Sequence, residues 1–250
     1  AKEGRGLICV PLSEKRCKEI KLDRMVSNSA DPMGTAFTIS VDLKGKGVTT
    51  GISAKDRALT IKALVNENTK SNDFSKPGHI FPLIGKEGGV LRRTGHTEAA
   101  IDFARLAGMK PAGVIVEIMN EDGSMARLPE LIDIAKKFDL KIVSIEDLIA
   151  YRMKHETLIE ELVKVDMPSK YGNFKLKAFK QLTTGEEHLS IIKGEWDPNE
   201  SVLVRVHSSC FTGDILGSLR CDCGDQLKEA LKMIEKAGKG VVLYMNQEGR

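Results

Sequence analysis

Three of the chain's five cysteines, Cys210, Cys221 and Cys223, fall within fourteen residues, and this crowding constrains the fold more than any other feature. Cysteine binds a metal as thiolate, and several negative sulfurs at one point are tolerable only beside a cation such as Zn²⁺. Cys221 and Cys223 flank Asp222, too near each other for an easy disulfide, so the glycine-punctuated loop from Cys210 must return to them. Structural zinc sites usually close with four protein ligands, whereas catalytic sites use three and keep a place for water or substrate. The spacing leaves both readings open: a three-cysteine centre with a vacant position, or a closed one with His207, three residues before Cys210, as fourth ligand. A disulfide is disfavoured, because nothing indicates secretion.

At 250 residues, 41% hydrophobic and 29% charged, the chain can bury two cores, and two domains of the α/β or α+β class are expected. The net charge of +3, from 38 basic against 35 acidic residues, excludes a grip on nucleic acid through bulk charge. There is no apolar run of membrane-spanning length, no signal-peptide pattern and an odd cysteine count. Reducing cytosol is the expected compartment, with no membrane partner and with Cys9 and Cys17 as free thiols. Both ends look cut. Residue 1 is Ala, an apolar run begins at Leu7, and the strand-like stretch 240–245 is followed by only five residues, so a fragment is expected.

Up to residue 156 strands and helices alternate. Ser13 is placed to cap a short helix through Ile20, residues 36–43 read as a strand, and Ser53 with Asp56 forms a capping-box pattern opening a helix to Asn66. Residues 77–83 read as a turn and short strand, 99–107 as a helix stopped by Gly108, and 111–118 as a strand before the turn 120–123. Helices over 129–138 and 146–155 flank a strand expected at 140–145, which together predicts a mixed sheet.

Arg92, Arg93, Thr94, Gly95, His96 and Thr97 precede a helix, bringing guanidiniums, hydroxyls and free N-terminal amides together in a combination suited to a phosphate or polyol. His96 has the chemistry to bind a metal or move a proton. Glu117 lies inside an apolar strand, where a carboxylate needs a partner or a purpose. Taken singly, the histidine is as readily structural and the glutamate as readily turned to water.

Five runs together, residues 4–9, 47–57, 77–79, 93–99 and 120–127, resemble in order and spacing the 3,4-dihydroxy-2-butanone 4-phosphate synthase family. The resemblance implies conversion of ribulose 5-phosphate to that butanone phosphate and formate, with Mg²⁺ or Mn²⁺. It implies His79 and Glu117 as acid/base residues, His96 as the metal-binding histidine, and Arg93, Thr94, Gly95, Thr97 and Glu117 lining the substrate site. Cys9 matches a cysteine near that site, and a homodimer with interfacial sites is implied. The family's acidic loop carrying a metal-binding glutamate has no counterpart in the sequence, so weak or no synthase activity is expected of this chain alone.

The domain boundary is placed near Glu156, giving domains 1–156 and 157–250. Residues 158–166 and 173–182 read as strands carrying Lys164, Lys175, Lys177 and Lys180, with Lys170 between them, as a solvated sheet face. Strands over 187–193 and 201–207 lead into the cysteines, and 225–237 has helical spacing at Leu227, Ala230, Leu231 and Ile234 up to Gly238.

The run 205–224, then Gln226 and Leu227, then 247–250, resembles GTP cyclohydrolase II. That likeness implies a catalytic Zn²⁺ on Cys210, Cys221 and Cys223, with hydroxide attacking C8 of guanine and release of formate and diphosphate. It implies GTP contacts from Arg205, Val206, His207, Ser208, Ser209, Gln226, Glu248, Gly249 and Arg250. The family's general-base aspartate and catalytic arginine have no counterpart before residue 250. The two families in this order form the bifunctional enzyme of riboflavin synthesis, which is the expected parent. The rivals are a protein retaining one activity with the other half as scaffold, and a noncatalytic zinc-binding interaction module.

Overall fold

The computed structural model describes residues 3–28, 30 and 32–247, and the chain divides into two compact units, Ala1–His155 and Glu156–Arg250. In the first unit strand β1 (Cys9–Ser13) passes directly into helix α1 (Glu14–Glu19), and the Ser13 hydroxyl accepts the Arg16 N–H as expected of an N-cap. Strand β2 (Val41–Leu43) is followed by α2 (Ala54–Val65), β3 (Phe74–Gly85), α3 (His96–Leu106), α4 (Leu128–Phe138) and α5 (Ile145–His155). The sheet order is β1-β3-β2, parallel between β1 and β3 and antiparallel between β3 and β2, which makes it mixed.

Strand alternation sorts this sheet into two faces. Ile8, Val10 and Leu12 join Ile80, Val41, Leu43 and Leu64 in the main core, with Val116 packed against it. Leu7, Cys9, His79, Phe81 and Glu117 therefore share the opposite face. Over one end of that face lies α3, with Ile101 against Gly85 and Ala100 against Gly113.

Several expected elements differ. The turn expected near residue 77 is instead part of the twelve-residue β3. Of 36–43, the last three residues form the strand, while Phe37 and Thr38 make isolated bridges. Residues 111–118 run alongside β1 through bridges at Leu12–Ala112, Cys9–Ile115 and Arg5–Ile118, without becoming a regular strand. Gly113 N–H donates to Pro11 O, but Pro11 has no N–H to return, and the register slips by one before Arg5. Residues 140–145 form no strand: Leu140, Ile142 and Val143 are exposed, and a β-prone run without a neighbouring ladder has nothing to receive its backbone hydrogen bonds. The Ser53–Asp56 box is half formed. Ser53 caps Asp56 N–H, whereas the Asp56 carboxylate accepts from Thr49 and Gly51.

The second unit is a five-stranded sheet, β4 (Ile159–Ser169), β5 (Gly172–Gln181), β6 (Glu187–Lys193), β7 (Leu203–Ser208) and β8 (Gly240–Met245), in the order β4-β5-β6-β8-β7. Every pairing is antiparallel except β7 with β8, which are joined through α6 (Cys223–Ala237). Leu227, Ala230, Leu231 and Ile234 of α6 pack on Phe174, Ile191 and Val242, and Gly238 ends the helix at φ 73°. The lysines do not form one face. Lys164, Lys175 and Lys177 lie opposite α6 by register, Lys170 is in the hairpin turn, and Lys180 has the other parity. Lys177 pairs with Glu161 at 2.7 Å and Lys175 with Glu195 at 3.6 Å. The architecture is two α+β units, each with a mixed sheet. No helix among the described residues is long and apolar enough to cross a membrane.

Candidate functional site

In the first unit the sheet register assembles the site. Cys9 is opposite Phe81 on one side and Ile115 on the other. Alternation from the Cys9–Ile115 pair puts Glu117 on the Cys9 face and alternation along β3 puts His79 there too, while the slipped register gives Glu117 O the Gly6 N–H at 3.2 Å. Two residues distant by 38 positions thus lie on one face with Cys9 between their strands. Glu117 Oε2 accepts the Leu7 N–H at 2.9 Å, leaving its second oxygen available. Burial, with the Glu117 charge adding to it, pushes the Cys9 thiol up to about 11.

His79 is not alone. Its Nδ1 lies 2.6 Å from Asp42 Oδ2, and its backbone N–H donates to Asp42 Oδ1 at 2.9 Å. Asp42 is largely buried at 14% side-chain exposure while His79 keeps 43%, so the carboxylate orients an imidazole whose Nε2 faces outward. Gly51, at φ 88°, presses its backbone onto this pair: a Cβ there would lie 2.7 Å from His79 Nδ1 and closer still to Asp42. Asp56 holds that loop by accepting Thr49 N–H, Thr49 Oγ1–H and Gly51 N–H. These hydrogen bonds, Thr49's first, keep its carboxyl below the usual carboxylate range. Asp42 was missed in the sequence. It carries the signal that singled out Glu117, a carboxylate in a strand-like run.

The residues around His96 divide. Gly95 is the N-cap of α3, with His96 exposed on its first turn. Arg92 and Thr94 are exposed, but Thr97 is buried at 4%. Arg93 is committed: its guanidinium donates to Glu98 at 2.7 Å and to Met33 O at 2.9 Å, so it ties the 33–35 loop to α3 rather than reaching outward. His96 offers one ligand, and no three-residue metal-binding group forms around it among the described residues. One imidazole is a partial ligand set, which suits a cation that takes its other ligands from substrate oxygens and water. A cavity of about 660 Å³ in this unit lies elsewhere, beside Ser13 and Gly85 at the far ends of β1 and β3. Its buried acids are paired, Glu98 with Arg93 and Asp102 with Arg152.

In the second unit the centre is local. The Sγ atoms of Cys210, Cys221 and Cys223 lie within 4.8 Å of one another, with Cys210 and Cys221 at 3.8 Å. A tetrahedral shell with Zn–S of about 2.3 Å places sulfurs roughly 3.8 Å apart, so the donor set fits zinc. A short π-helical turn, Phe211–Ile215, brings Gly213 against the sulfurs, where a Cβ would be 2.7 Å from Cys221 Sγ and 3.3 Å from Cys210 Sγ. The site sits where β7 ends and α6 begins, and Cys223 is the helix's first residue, beside its positive end. The Gly213 amide, then Thr212 and the other sulfurs, draws the Cys210 thiol below its usual value. Hydrogen bonding to Cys221 and Cys210 pushes Cys223 up to about 12.

His207 is not the fourth ligand. It is 3% exposed, its Nε2 lies 3.0 Å from Asp214 Oδ1, and the metal-capable group among the described residues contains cysteines alone. Arg205 does meet Gln226 through a side-chain hydrogen bond, joining two of the expected GTP contacts. Val206 and Ser208 alternate to the other face of β7, and Ser209 N–H donates to Met245 O. Glu248, Gly249 and Arg250 lie outside the described residues.

Comparison with known proteins covers both units. The family model for 3,4-dihydroxy-2-butanone 4-phosphate synthase matches residues 1–151, and that for GTP cyclohydrolase II matches residues 160–250. The chain is 64% identical over 250 residues to the riboflavin biosynthesis protein RibBA of Cytophaga hutchinsonii and 57% identical over 249 residues to that of Parabacteroides distasonis. Each alignment covers 100% of this chain and 62% of the relative, so the chain spans about three fifths of those relatives' length. Among solved structures, RibBX, a two-domain 3,4-dihydroxy-2-butanone 4-phosphate synthase from A. baumannii, is 40% identical at a TM-score of 0.72, covering 99% of this chain and 69% of that one. A 3,4-dihydroxy-2-butanone 4-phosphate synthase in complex with two magnesium ions is 42% identical at a TM-score of 0.58, covering 62% of this chain and 76% of that one.

Proposed function

The chain belongs to the 3,4-dihydroxy-2-butanone 4-phosphate synthase family, continued by a segment of the GTP cyclohydrolase II family, and on that premise we propose that the protein serves riboflavin biosynthesis through both chemistries. Its substrates are ribulose 5-phosphate and GTP. The observation carrying the reading is that each unit holds its own centre: His79 with Asp42 and Glu117 on one sheet face, and three sulfurs at zinc spacing on one loop.

Forming the butanone phosphate requires removal of a proton beside a carbonyl. Asp42 holds the Nδ1 proton of His79, which leaves Nε2 as the acceptor. Glu117, anchored through one oxygen by the Leu7 amide, serves as the second proton carrier on the same face. The free amides at the start of α3, beside exposed Arg92 and Thr94, suit the substrate phosphate. His96 would give a bound Mg²⁺ or Mn²⁺ one ligand, and the cation would stabilise the charge that develops on the substrate oxygens.

In the second unit Cys210, Cys221 and Cys223 would hold zinc, leaving one position of a tetrahedral shell to a water or substrate oxygen. A zinc ion there supplies Lewis acidity for hydrolytic ring opening of the purine. Arg205, oriented by Gln226, faces the triphosphate charge.

A homodimer belongs to the same reading. On α4, Leu128, Ile132 and Phe138 are exposed, and Leu140, Ile142 and Val143 continue the apolar surface, which a second copy would cover. Formate release from ribulose 5-phosphate with Mg²⁺, and from GTP with Zn²⁺, measured on the chain joined to the flanking segments its longer relatives carry, tests the two activities separately. Loss of the first in a His79→Ala variant and of the second in a Cys221→Ser variant is the expected result. Both activities unchanged in both variants would sink the assignment of these centres.

A further inference from the structure

The loop bearing the sulfurs is tied to the sheet through one buried carboxylate. The Asp214 side chain is 3% exposed. Its Oδ2 accepts the Cys210 N–H at 3.0 Å and the Tyr244 hydroxyl at 2.8 Å, and its Oδ1 lies 3.0 Å from His207 Nε2. The Asp214 N–H in turn donates to Cys210 O at 2.7 Å, so these two residues close a reciprocal ring. His207 and Tyr244 are register partners on β7 and β8, their rings stacked 5.5 Å apart. Two strands thus hold the carboxylate from one side, and the carboxylate holds the backbone of a sulfur-bearing residue on the other.

A buried carboxylate is costly unless its oxygens are satisfied, and here its partners satisfy it. Burial alone would raise the Asp214 carboxyl. The Cys210 amide, the Tyr244 hydroxyl and His207 overcome that and keep it below the usual carboxylate range. The loop it anchors rests on α6 through Gly213 against Gly224, while its large apolar side chains Phe211, Ile215, Leu216 and Leu219 are all exposed. Without the anchor, Cys210 would have to be ordered at the moment of metal capture, and that ordering entropy would be subtracted from the affinity.

We propose that Asp214, gripped by His207 and Tyr244, is a positioning residue that presents Cys210 to the metal, so that this buried network sets the affinity of the sulfur centre for zinc. The inference rests on reading the three sulfurs as a metal centre. It gives His207 a role other than that of fourth ligand. The unpartnered His207 Nδ1 is buried, so the imidazole works through its Asp214 side.

The test is competition for Zn²⁺ between the protein and a chromogenic chelator, in the wild type and in Asp214→Ala, Asp214→Asn and Tyr244→Phe. Removing such outer support costs metal sites about 10- to 100-fold in affinity, which is the loss expected of Asp214→Ala. Asp214→Asn should lie between, because its amide oxygen can still accept the Cys210 N–H, and Tyr244→Phe should lose least. A structural role alone would not alter the thiolate-to-cobalt absorption bands of Co²⁺-loaded Tyr244→Phe at unchanged melting temperature, whereas positioning shifts them. A folded Asp214→Ala protein that holds zinc as tightly as the wild type overturns the inference. Should that variant not fold, unchanged zinc affinity in both Asp214→Asn and Tyr244→Phe overturns it equally. A wild type that takes up no zinc would instead refute the metal reading itself.

Discussion

The two centres are built in opposite ways. The sulfur centre gathers its three ligands within fourteen residues, on a loop between one strand and one helix. The His79 face draws on positions 7 to 117 and exists only because β1 pairs with β3 on one side and with the 111–118 segment on the other. A local centre on a glycine-bearing loop depends on an anchor to keep its geometry, hence Asp214. A centre spread over a sheet gets its geometry from the ladder and depends instead on local orientation of each side chain, hence Asp42 for His79 and the Leu7 amide for Glu117.

If the difference is real, substitutions should separate cleanly between the units. The largest effect is expected from Cys221→Ser, which removes a sulfur outright. Zinc measured by elemental analysis should fall from one equivalent to near zero after brief dialysis against a chelator, while formate release from ribulose 5-phosphate is untouched. In the other unit His79→Ala should lower the synthase kcat by about 10²- to 10⁴-fold, the usual worth of a general base, and leave zinc content unchanged. Asp42→Asn keeps the imidazole but loses its orientation, so its synthase kcat should fall by an amount toward the lower end of that range. Normal kcat in Asp42→Asn would show that the ladder alone orients His79.

Thiol chemistry sharpens the contrast. Burial, the leading cause at both residues, pushes Cys9 up to about 11 and Cys17 up to about 12, so at pH 8 their thiolate fractions are about 10⁻³ and 10⁻⁴. In metal-free protein, iodoacetamide followed by peptide mass spectrometry should modify Cys210 first and Cys9 and Cys17 only on unfolding. The smallest effect is expected at Asp56. Its folded-state carboxyl is depressed, so its stabilising contribution is complete above the unfolded value of about 3.9 and is lost as pH falls through the lower folded value. The difference in melting temperature between wild type and Asp56→Asn should therefore be full at pH 6 and shrink below about pH 4, and a difference that grew on acidification would contradict the hydrogen bonds drawn to Thr49 and Gly51.

Helices with their own caps are legible in the amino-acid order. Ser13 and Ser53 accept the amides expected of them, and Gly238 stops α6 in the left-handed conformation. The sulfur centre is legible too, because its ligands are close in sequence. The strand expected at 140–145 failed for the reason that a strand is a relation between segments: its β-prone residues are present, but no ladder among the described residues reaches it. The 111–118 segment failed more narrowly, through a missing N–H at Pro11 on the strand beside it. Spacing left His207 open as a fourth ligand, and its partner Asp214, seven residues on, shows where the imidazole is spent.

From the amino acids alone came the two-domain layout of α/β or α+β class, the sulfur triad and the residues that match two enzyme families, since all of these depend on short-range order along the chain. Tertiary structure decided which carboxylate serves which residue: Asp42 for His79, Asp56 for the loop on that pair, Asp214 for Cys210. An aspartate's purpose is set by the donors that surround it when it leaves water, and those donors arrive from strands and loops that the chain brings together only on folding.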